Sequence, residues 1–413
     1  MITPSNVLET HLKNRYRRGT FWKVAFYLST VVAITFLILL LLNIINGAFG
    51  YVVVENSIDP VSLEVHGRTL EEMDPPELIG ILETHLSRGL IRRYNHEMPL
   101  EERSEHEVLQ LVYERVVAPK IIKSWTLFES LLQGSAIREW KASNSPQGIL
   151  EFRTWLNLNF IRSPQSPTPE FAGIRTALLG SLWMIVITIL FAFPVGVASA
   201  IYLEEYARDN LMTRIIQVNI YNLSGVPSII YGLLGLAVFV RLLEPVTSGA
   251  LFGLTDHSTA SGRTILSAGL TLGLLILPII IINSQEAIRA VPQSLRDSSY
   301  GLGATKWQTI WHHVIPSSLD RILTGTILSV SRAVGETAPL VVVGASTFIS
   351  VDPNNVFSKF TTLPIQIYQW TARPQAEFRN IAAAAILALL VLLLSMNGFA
   401  IVARDKIRKK RRG

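Results

Sequence analysis

The chain has 413 residues and a formal net charge of +6, and only 16% of its residues are charged, against about 25% in soluble domains. Its mean hydropathy of +0.36 indicates a polytopic membrane protein and excludes an ordinary soluble enzyme. The sequence contains no cysteine, which excludes disulfides, thiolate metal sites and a cysteine nucleophile. Basic clusters flank apolar runs at both ends, a placement typical of membrane topology and not of nucleic-acid binding.

Six apolar runs are long enough to cross the hydrocarbon core of a bilayer. Because lipid offers no partner to backbone N–H and C=O groups, each run is predicted to be a helix that satisfies these groups internally. The predicted fold class is therefore an all-α polytopic membrane protein with six transmembrane helices, at residues 24–46, 176–203, 215–240, 264–282, 322–348 and 381–403.

The first run follows a basic segment, residues 1–23. Since the run is longer than the core of a signal peptide, about 7 to 15 residues, we expect a retained anchor at 24–46. With both termini placed in the cytoplasm, 18 Lys and Arg fall in about 80 inside residues and 17 in about 180 outside residues. This satisfies the positive-inside rule, and the basic tail 404–413 is expected to contact membrane lipids.

Residues 47–171 are too long for a structureless loop and are predicted to form a small, mainly helical extracytoplasmic domain. Ser104 and Glu107 have the spacing of a helix capping box. A short strand is predicted at 51–54 and a linker at 163–171. Further helices are predicted at 125–140 and along two apolar faces, formed by Leu109, Val112, Tyr113 and Val116, and by Ile79, Leu82, Leu86 and Leu90 after a Pro-Pro pair.

The loop 284–320 is more patterned than a connector needs to be. Pro292 is suited to the start of a helix and Gly303 to a sharp turn. Trp307, Ile310 and Val314 follow at i, i+3 and i+7 on one face of a second short helix. Such a face fits a groove on another protein, or it packs on the chain's own membrane helices or in the lipid interface.

Arg332 and Glu336 lie four residues apart in the fifth run, on one face of the predicted helix. An arginine at the bilayer centre costs about 2.5 to 3.5 kcal/mol on insertion scales, so the two are expected to pair. Gly335 and Pro339 flank the glutamate and predict a kink. The pair either fixes the helix structurally or lines a solute path, with Arg332 donating to an oxyanion and Glu336 limiting the affinity.

No spacing in the sequence is typical of a catalytic or metal site. The eight histidines show no zinc-binding pattern, and we expect no catalytic residue, no metal and no cofactor. The sequence also lacks the phosphate-binding pattern GxxxxGK[ST], so any ATP hydrolysis must come from another polypeptide.

The loop 284–320 resembles the EAA loop of ABC-importer permeases, which follows the pattern EAA, three residues, G, nine residues, I, one residue, LP. The departures are a shorter acid at the first position, serines for the two alanines, His313 for isoleucine and Ile315 for leucine. In that family the loop docks on a cytoplasmic ATPase. The resemblance thus implies coupling through Asp297, Ser298, Ser299, Gly303, Trp307, Ile310 and Pro316.

The run SRAVGETAPL, residues 331–340, resembles the corresponding helix of the phosphate-specific ABC importer permeases. This resemblance implies a type I ABC-importer permease fold over residues 172–403 and a substrate path that includes Arg332, Glu336 and Thr337. With the stretches QEAIRAVPQSL and GATKWQTI of the loop, the chain resembles the PstA-type subunit more than the PstC-type subunit. The resemblance also implies the inner membrane of a bacterium as the location.

The same resemblance implies a set of partners. These are a second permease subunit of the PstC type, an ATPase dimer of the PstB type, a phosphate-binding protein of the PstS type and a PhoU-type regulator. Two alternatives stay open at this stage: a permease for another oxyanion such as sulfate or molybdate, and a non-transporting membrane scaffold or sensor whose outer domain is the functional part.

Overall fold

The computed structural model describes residues 4–64, 68–97, 99–254, 262–345, 348, 349 and 351–412. Ser346 and Thr347, near the end of the predicted fifth span, lie outside these residues. We refer to residues 47–171 as the insert domain and to the helices that follow it as the membrane body.

The helices up to the end of the insert domain are α1 Pro4–Ala48, α2 Pro75–His85, α3 Arg88–Glu97, α4 Glu105–Val112, α5 Leu127–Leu132, α6 Gly134–Asn144 and α7 Leu158–Arg162. The helices of the membrane body are α8 Arg175–Ile201, α9 Leu211–Ser224, α10 Ser228–Gly235, α11 Glu244–Thr247, α12 Ile265–Arg289, α13 Gln293–Gly301, α14 Lys306–Thr309, α15 Ile315–Gly335, α16 Ala338–Val343, α17 Leu363–Thr371 and α18 Ala376–Arg412.

Long apolar helices confirm the predicted helical membrane fold. Among the described residues, four are long and apolar enough to cross a membrane, Arg15–Ala48, Arg175–Tyr206, Ile265–Arg289 and Ala376–Lys406. The bent pair of α9 with the helical residues 228–242 would make a fifth span. The count of six spans therefore stays a prediction.

The predicted third span is not a straight helix. α9 and the helical segment after it are bent by 107°, because Gly225 ends α9 and Pro227, which has no N–H to donate, precedes α10. The Tyr231 hydroxyl bridges the bend by donating to the Leu223 carbonyl at 2.8 Å.

The core of the membrane body is built around α12, which packs against α8 and α15. Glycines bring the backbones of α8 and α12 together. A Cβ added at Gly196 would lie 2.6 Å from the Ile280 side chain, and one at Gly273 would lie 2.5 Å from Phe191. Small residues at such contacts are what allows close packing of membrane helices.

The insert domain contains a three-stranded antiparallel sheet of order β2-β1-β3 in the part of the chain described, with β1 Phe49–Glu55, β2 Lys120–Ser124 and β3 Ile149–Thr154. The predicted strand at 51–54 lies within β1. The other two strands were not predicted, because their pairing partners are distant in sequence and their residues do not alternate regularly between buried and exposed. Val52 pairs with Ser124 on one side and with Glu151 on the other.

The capping box predicted at Ser104 and Glu107 is present: the Glu107 N–H donates to the Ser104 hydroxyl at 3.4 Å, and Glu107 accepts from the Ser104 N–H at 3.1 Å. α4 continues through a π-helical turn, Tyr113–Val117, and ends at Ala118 in the left-handed conformation. Two members of the predicted face, Val112 and Val116, are buried there together with Val108.

Two other helix predictions for the insert domain were wrong in detail. α2 buries Leu78, Ile81 and Leu82, of which only Leu82 belongs to the predicted face, and it ends at His85, before Leu86. The predicted helix at 125–140 is divided at Gln133 into α5 and α6. In both cases the tertiary packing selects a different face or end from the one the spacing favours.

The segment 163–171 is packed, not a free linker. Gln165 and Ser166 are buried, and the Gln165 side chain accepts a hydrogen bond from the Ile349 N–H of the membrane body at 3.0 Å. The insert domain is therefore joined to the membrane body by specific contacts.

Candidate functional site

The helix that carries Arg332 is interrupted directly after it. α15 ends at Gly335, Glu336 has an extended backbone with φ −77° and ψ 126°, and α16 begins at Ala338. The predicted kink is therefore a complete break, since Pro339 falls in the first turn of a new helix, where its missing N–H costs least.

Arg332 and Glu336 form the predicted pair across the end of α15. Arg332 Nε lies 3.5 Å from Glu336 Oε1, and the two side chains are 52% and 19% exposed. An arginine and a carboxylate in ideal geometry form a bidentate pair with two parallel hydrogen bonds, whereas here there is a single long contact. More than half of the Arg332 side chain is thus left accessible for another acceptor.

A cavity of about 490 Å³ lies on the face of α15 that carries Arg332. Arg321, Gly325, Leu328 and Arg332 are spaced by four, three and four positions, which places them along one side of the helix. The cavity is lined by Asn283, Glu286, Ala287, Arg321, Thr324, Gly325 and Leu328.

Sequence reasoning missed Arg321, although its eleven-position spacing from Arg332 was a usable signal. At a helical rise of 1.5 Å per residue the two positions are about 16 Å apart along the axis. Arg321 is exposed. The accessible side of α15 thus carries two cations separated by an apolar residue, Leu328, and a glycine.

The short helix after the break is fixed by a glycine of α10. A Cβ at Gly232 would lie 2.7 Å from Pro339 Cα, so α16 rests directly on the backbone of α10. The two interrupted helices of the membrane body therefore pack against each other, and Glu336 and Thr337 lie in the break of one of them.

The predicted EAA-like loop contains α13, preceded by Pro292, and a turn at Gly303 with φ +84°. Asp297 and Ser298 are exposed on α13, whereas Ser299 is buried with its hydroxyl 2.9 Å from that of Thr309. Pro316 lies in the first turn of α15.

A separate second short helix was predicted in this loop, but in the structure this helix is continuous with α15. α14 is followed by a π-helical turn, Ile310–Val314, and then directly by α15. The predicted apolar face of Trp307, Ile310 and Val314 is not exposed as a whole. Ile310 and Val314 are fully buried in the chain itself, whereas Trp307 is 58% exposed and stacks on Trp311 with ring centroids 5.6 Å apart.

A buried ion pair joins the loop to the π-helical turn Tyr202–Tyr206 that follows α8. Arg296 donates to Glu205 Oε1 from Nε at 3.1 Å and from Nη2 at 2.8 Å, and also to the carbonyls of Val291 and Ile288 at 2.7 and 3.0 Å. The two side chains are only 11% and 6% exposed. Sequence reasoning missed this pair because nothing in the sequence fixes which acid of the distant Glu204-Glu205 run meets Arg296.

A second cavity, of about 310 Å³, lies against the insert domain and shares no lining residue with the first. In it the Tyr113 hydroxyl donates to Glu71 at 2.5 Å. Burial, and then the bond to Glu71, raise the pKa of Tyr113 to about 12, and the same bond lowers the pKa of Glu71. Arg153 also lines the cavity, but Glu71 and Glu170 offset its charge, so the cavity does not specify an anion.

Four long apolar helices among the described residues, together with an accessible arginine beside the break between α15 and α16, are typical of a membrane protein of the transport class. Residues 192–409 match the family described as binding-protein-dependent transport system inner membrane component. The chain belongs to this family, as the EAA-like loop had predicted. It is thus an inner-membrane permease component, a transport subunit without an ATPase site of its own.

Named relatives agree with this assignment. The probable ABC transporter permease protein YqgI of Bacillus subtilis is 32% identical over 260 residues, which are 60% of this chain and 82% of the relative. The phosphate transport system permease protein PstA 1 of Mycobacterium tuberculosis is 35% identical over 247 residues, 59% and 73% of the two chains.

Among solved structures, an inward-facing form of the MetNI methionine ABC transporter is similar with a TM-score of 0.40 and 17% identity, over 55% of this chain and 94% of the other. The family match itself begins inside α8. The anchor helix and the insert domain lie outside it.

Proposed function

We propose that this chain is the PstA-type permease subunit of an ATP-driven phosphate importer, with both termini on the cytoplasmic side. The observation that carries the proposal is the half-exposed guanidinium of Arg332, paired at only 3.5 Å with Glu336 beside a helix break. The relatives named as phosphate transport permeases favour phosphate over sulfate or molybdate.

The chemistry of Arg332 suits transient binding of an oxyanion. A guanidinium offers planar, fork-shaped donors that match two oxygens of phosphate. Glu336 competes for the same donors and repels a second negative charge, so the bound anion is released more easily. The Thr337 hydroxyl in the break is a further donor for the solute.

The path toward the cytoplasm follows the accessible side of α15. From Arg332 the anion passes Leu328 and Gly325 and enters the cavity lined by Arg321. Arg321 provides a second positive charge about 16 Å away, too far to bind the anion at the same time as Arg332. Glu286 lines the same cavity and offsets part of this charge, so that the anion is held there only transiently.

Coupling to an ATPase dimer of the PstB type uses the exposed part of the loop. Asp297 and Ser298 on α13, the turn at Gly303, and the Trp307 side chain are accessible to a partner. From Lys306 to Gly335 the chain is one helical segment with a π-helical turn. Because such a segment is stiff, movement at Trp307 is transmitted to Arg332 along the axis.

The remaining partners follow from the same assignment. A PstC-type permease completes the path, a PstS-type binding protein delivers phosphate on the outer side, and a PhoU-type regulator acts on the assembled complex. The insert domain is then extracytoplasmic, where its size adds surface for the binding protein.

Uptake of labelled phosphate into proteoliposomes with the co-purified partners tests the proposal. We expect uptake that depends on internal ATP and on loaded binding protein, and that excess unlabelled phosphate competes while sulfate and molybdate do not. Competition by sulfate or molybdate instead would reassign the solute. Uptake and ATP hydrolysis that both stay at background would remove the importer function and favour the scaffold.

A further inference from the structure

The short helix α5 of the insert domain presents a strongly exposed apolar side. Phe128, Leu131 and Leu132 lie at i, i+3 and i+4, so they share one face, and they are 47%, 70% and 82% exposed. On the other side of α5 Ser130 is buried, and its hydroxyl accepts a hydrogen bond from the Tyr51 N–H of β1 at 2.8 Å. The helix is thus fixed to the sheet by one side and exposes large apolar groups on the other.

The position of α5 is set by the end of the first transmembrane helix. The Phe128 N–H donates to Asn46 Oδ1, in the last turn of α1, at 2.8 Å. One turn earlier, about 6 Å along the axis, Leu42 is still 42% exposed and belongs to the apolar belt of α1. Asn380, directly before the last apolar run, donates to the Gly47 carbonyl at 2.9 Å. Two membrane-spanning helices therefore reach the bilayer surface at the level of α5.

Two tryptophans and a lysine lie next to α5; Trp125 is buried in the core of the insert domain, whereas Trp140 and Lys123 are half-buried. Trp125 and Trp140 pack edge to face with ring centroids 5.3 Å apart, and the Lys123 ammonium lies 5.1 and 4.6 Å from the two ring centroids. The half-buried Trp140 and the stem of Lys123 suit the lipid headgroup level, where an apolar body and a polar tip are both satisfied.

We propose that Phe128, Leu131 and Leu132 insert into the headgroup–acyl boundary of the bilayer and dock the insert domain on the lipid surface. An exposed apolar patch of this kind marks a binding surface. Its occupant is lipid because the patch continues the lipid-exposed belt of α1 at the same level. The inserted side chains fix the height and tilt of the insert domain, in the manner of an interfacial amphipathic helix. The proposal requires only that α1 crosses the bilayer and does not depend on the solute.

Single cysteines provide the test, because the chain contains none of its own. Leu131→Cys and Leu132→Cys are spin-labelled separately in the full-length chain in lipid nanodiscs, with and without the co-expressed second permease. Glu139→Cys, at an exposed position of α6, is the matched control. The collision rates of each label with oxygen, which enters the acyl region, and with a water-soluble nickel chelate are measured by power saturation.

We expect a several-fold higher ratio of oxygen to nickel collisions at Leu131 and Leu132 than at Glu139, in both preparations. Adding Leu132→Asp to the Leu131→Cys chain should abolish that preference, because a carboxylate at this depth draws the helix into water. Nickel access at Leu131 and Leu132 equal to that at Glu139 would overturn the proposal. Exclusion of both reagents only when the second permease is present would also overturn it, and would assign the face to a protein contact.

Discussion

The helix around Arg332 is closely packed, while the Arg332 guanidinium itself is accessible. Its neighbours Ala333 and Val334 are buried at 2% and 1% exposure, so α15 cannot rotate freely there. The packing of the helix therefore fixes the direction of the exposed guanidinium. A binding site requires such fixed orientation, which an arginine on a flexible surface would lack.

Replacing Arg332 with methionine should abolish phosphate uptake while the assembled complex is retained. The change keeps the apolar stem and removes the donors; each hydrogen bond to a charged group is worth about 1.5–3 kcal/mol, or at least roughly tenfold in rate. Uptake and co-purification are measured together. Arg332→Lys keeps the charge without the fork and should retain partial uptake. Loss of the assembled complex in Arg332→Met would support the structural role of the pair instead.

Arg321→Gln should lower the maximal rate of uptake several-fold without abolishing it, because Arg332 still receives the anion while the second positive charge on the path is lost. Initial rates over a range of phosphate concentrations measure the effect. Arg208→Gln, an exposed arginine in the segment between α8 and α9, is the matched control. Equal rates for the two variants would remove Arg321 from the path.

At the scale of elements, the turn between α13 and α14 depends on one backbone conformation. Gly303 has φ +84° and nothing lies within 4 Å of an added Cβ, so a side chain there is opposed by backbone strain and not by a clash. For a residue other than glycine this strain costs about 1–2 kcal/mol.

We therefore expect Gly303→Val to weaken co-purification of the ATPase while membrane yield is unchanged, since the turn orients the exposed loop residues. The matched control is Gly301→Ala, in α13, where alanine suits a helix and an added Cβ also has open space. ATPase recovery at the normal level from Gly303→Val membranes would contradict the docking assignment of the loop.

The buried pair of Arg296 and Glu205 should behave as one unit. Removing one partner leaves an uncompensated buried charge and is expected to cost about 3–5 kcal/mol, so Arg296→Gln and Glu205→Gln should each lower the midpoint of thermal unfolding in detergent. The double variant should be destabilised by less than the sum of the two. The exposed pair of Asp209 and Arg214 is the control, and Arg214→Gln should change the midpoint little. Additive effects at Arg296 and Glu205 would contradict the coupling.

At the scale of the whole molecule, the insert domain and the EAA-like loop must lie on opposite sides of the membrane if the loop docks on a cytoplasmic ATPase. Leu302, in the loop, is 91% exposed and Glu139 lies on α6 of the insert domain.

In intact cells, a membrane-impermeant maleimide should label Glu139→Cys and not Leu302→Cys, while permeabilised cells should allow both. The background is clean because the sequence has no cysteine. Labelling of Leu302→Cys from outside would place the loop on the wrong side for ATPase coupling and remove the importer proposal.

The sequence by itself determined the features that depend on neighbours along the chain. Apolar runs specify membrane helices because lipid excludes unsatisfied backbone groups, and the capping box of Ser104 and the pair of Arg332 with Glu336 follow from spacings of three and four residues. The loop motif was likewise readable, because its glycine and proline carry local backbone requirements.

Tertiary structure alone decided whatever depends on residues distant in sequence. The sheet joins β1 to strands about 70 and 100 residues later, and Arg296 pairs with Glu205, which lies 91 residues earlier in the chain. The break at Glu336 is stabilised by Gly232 of another helix, and the burial of Ile310 but not of Trp307 depends on which neighbours cover each side chain. Such contacts are selected by the free energy of packing the whole body, to which local spacing contributes only a part.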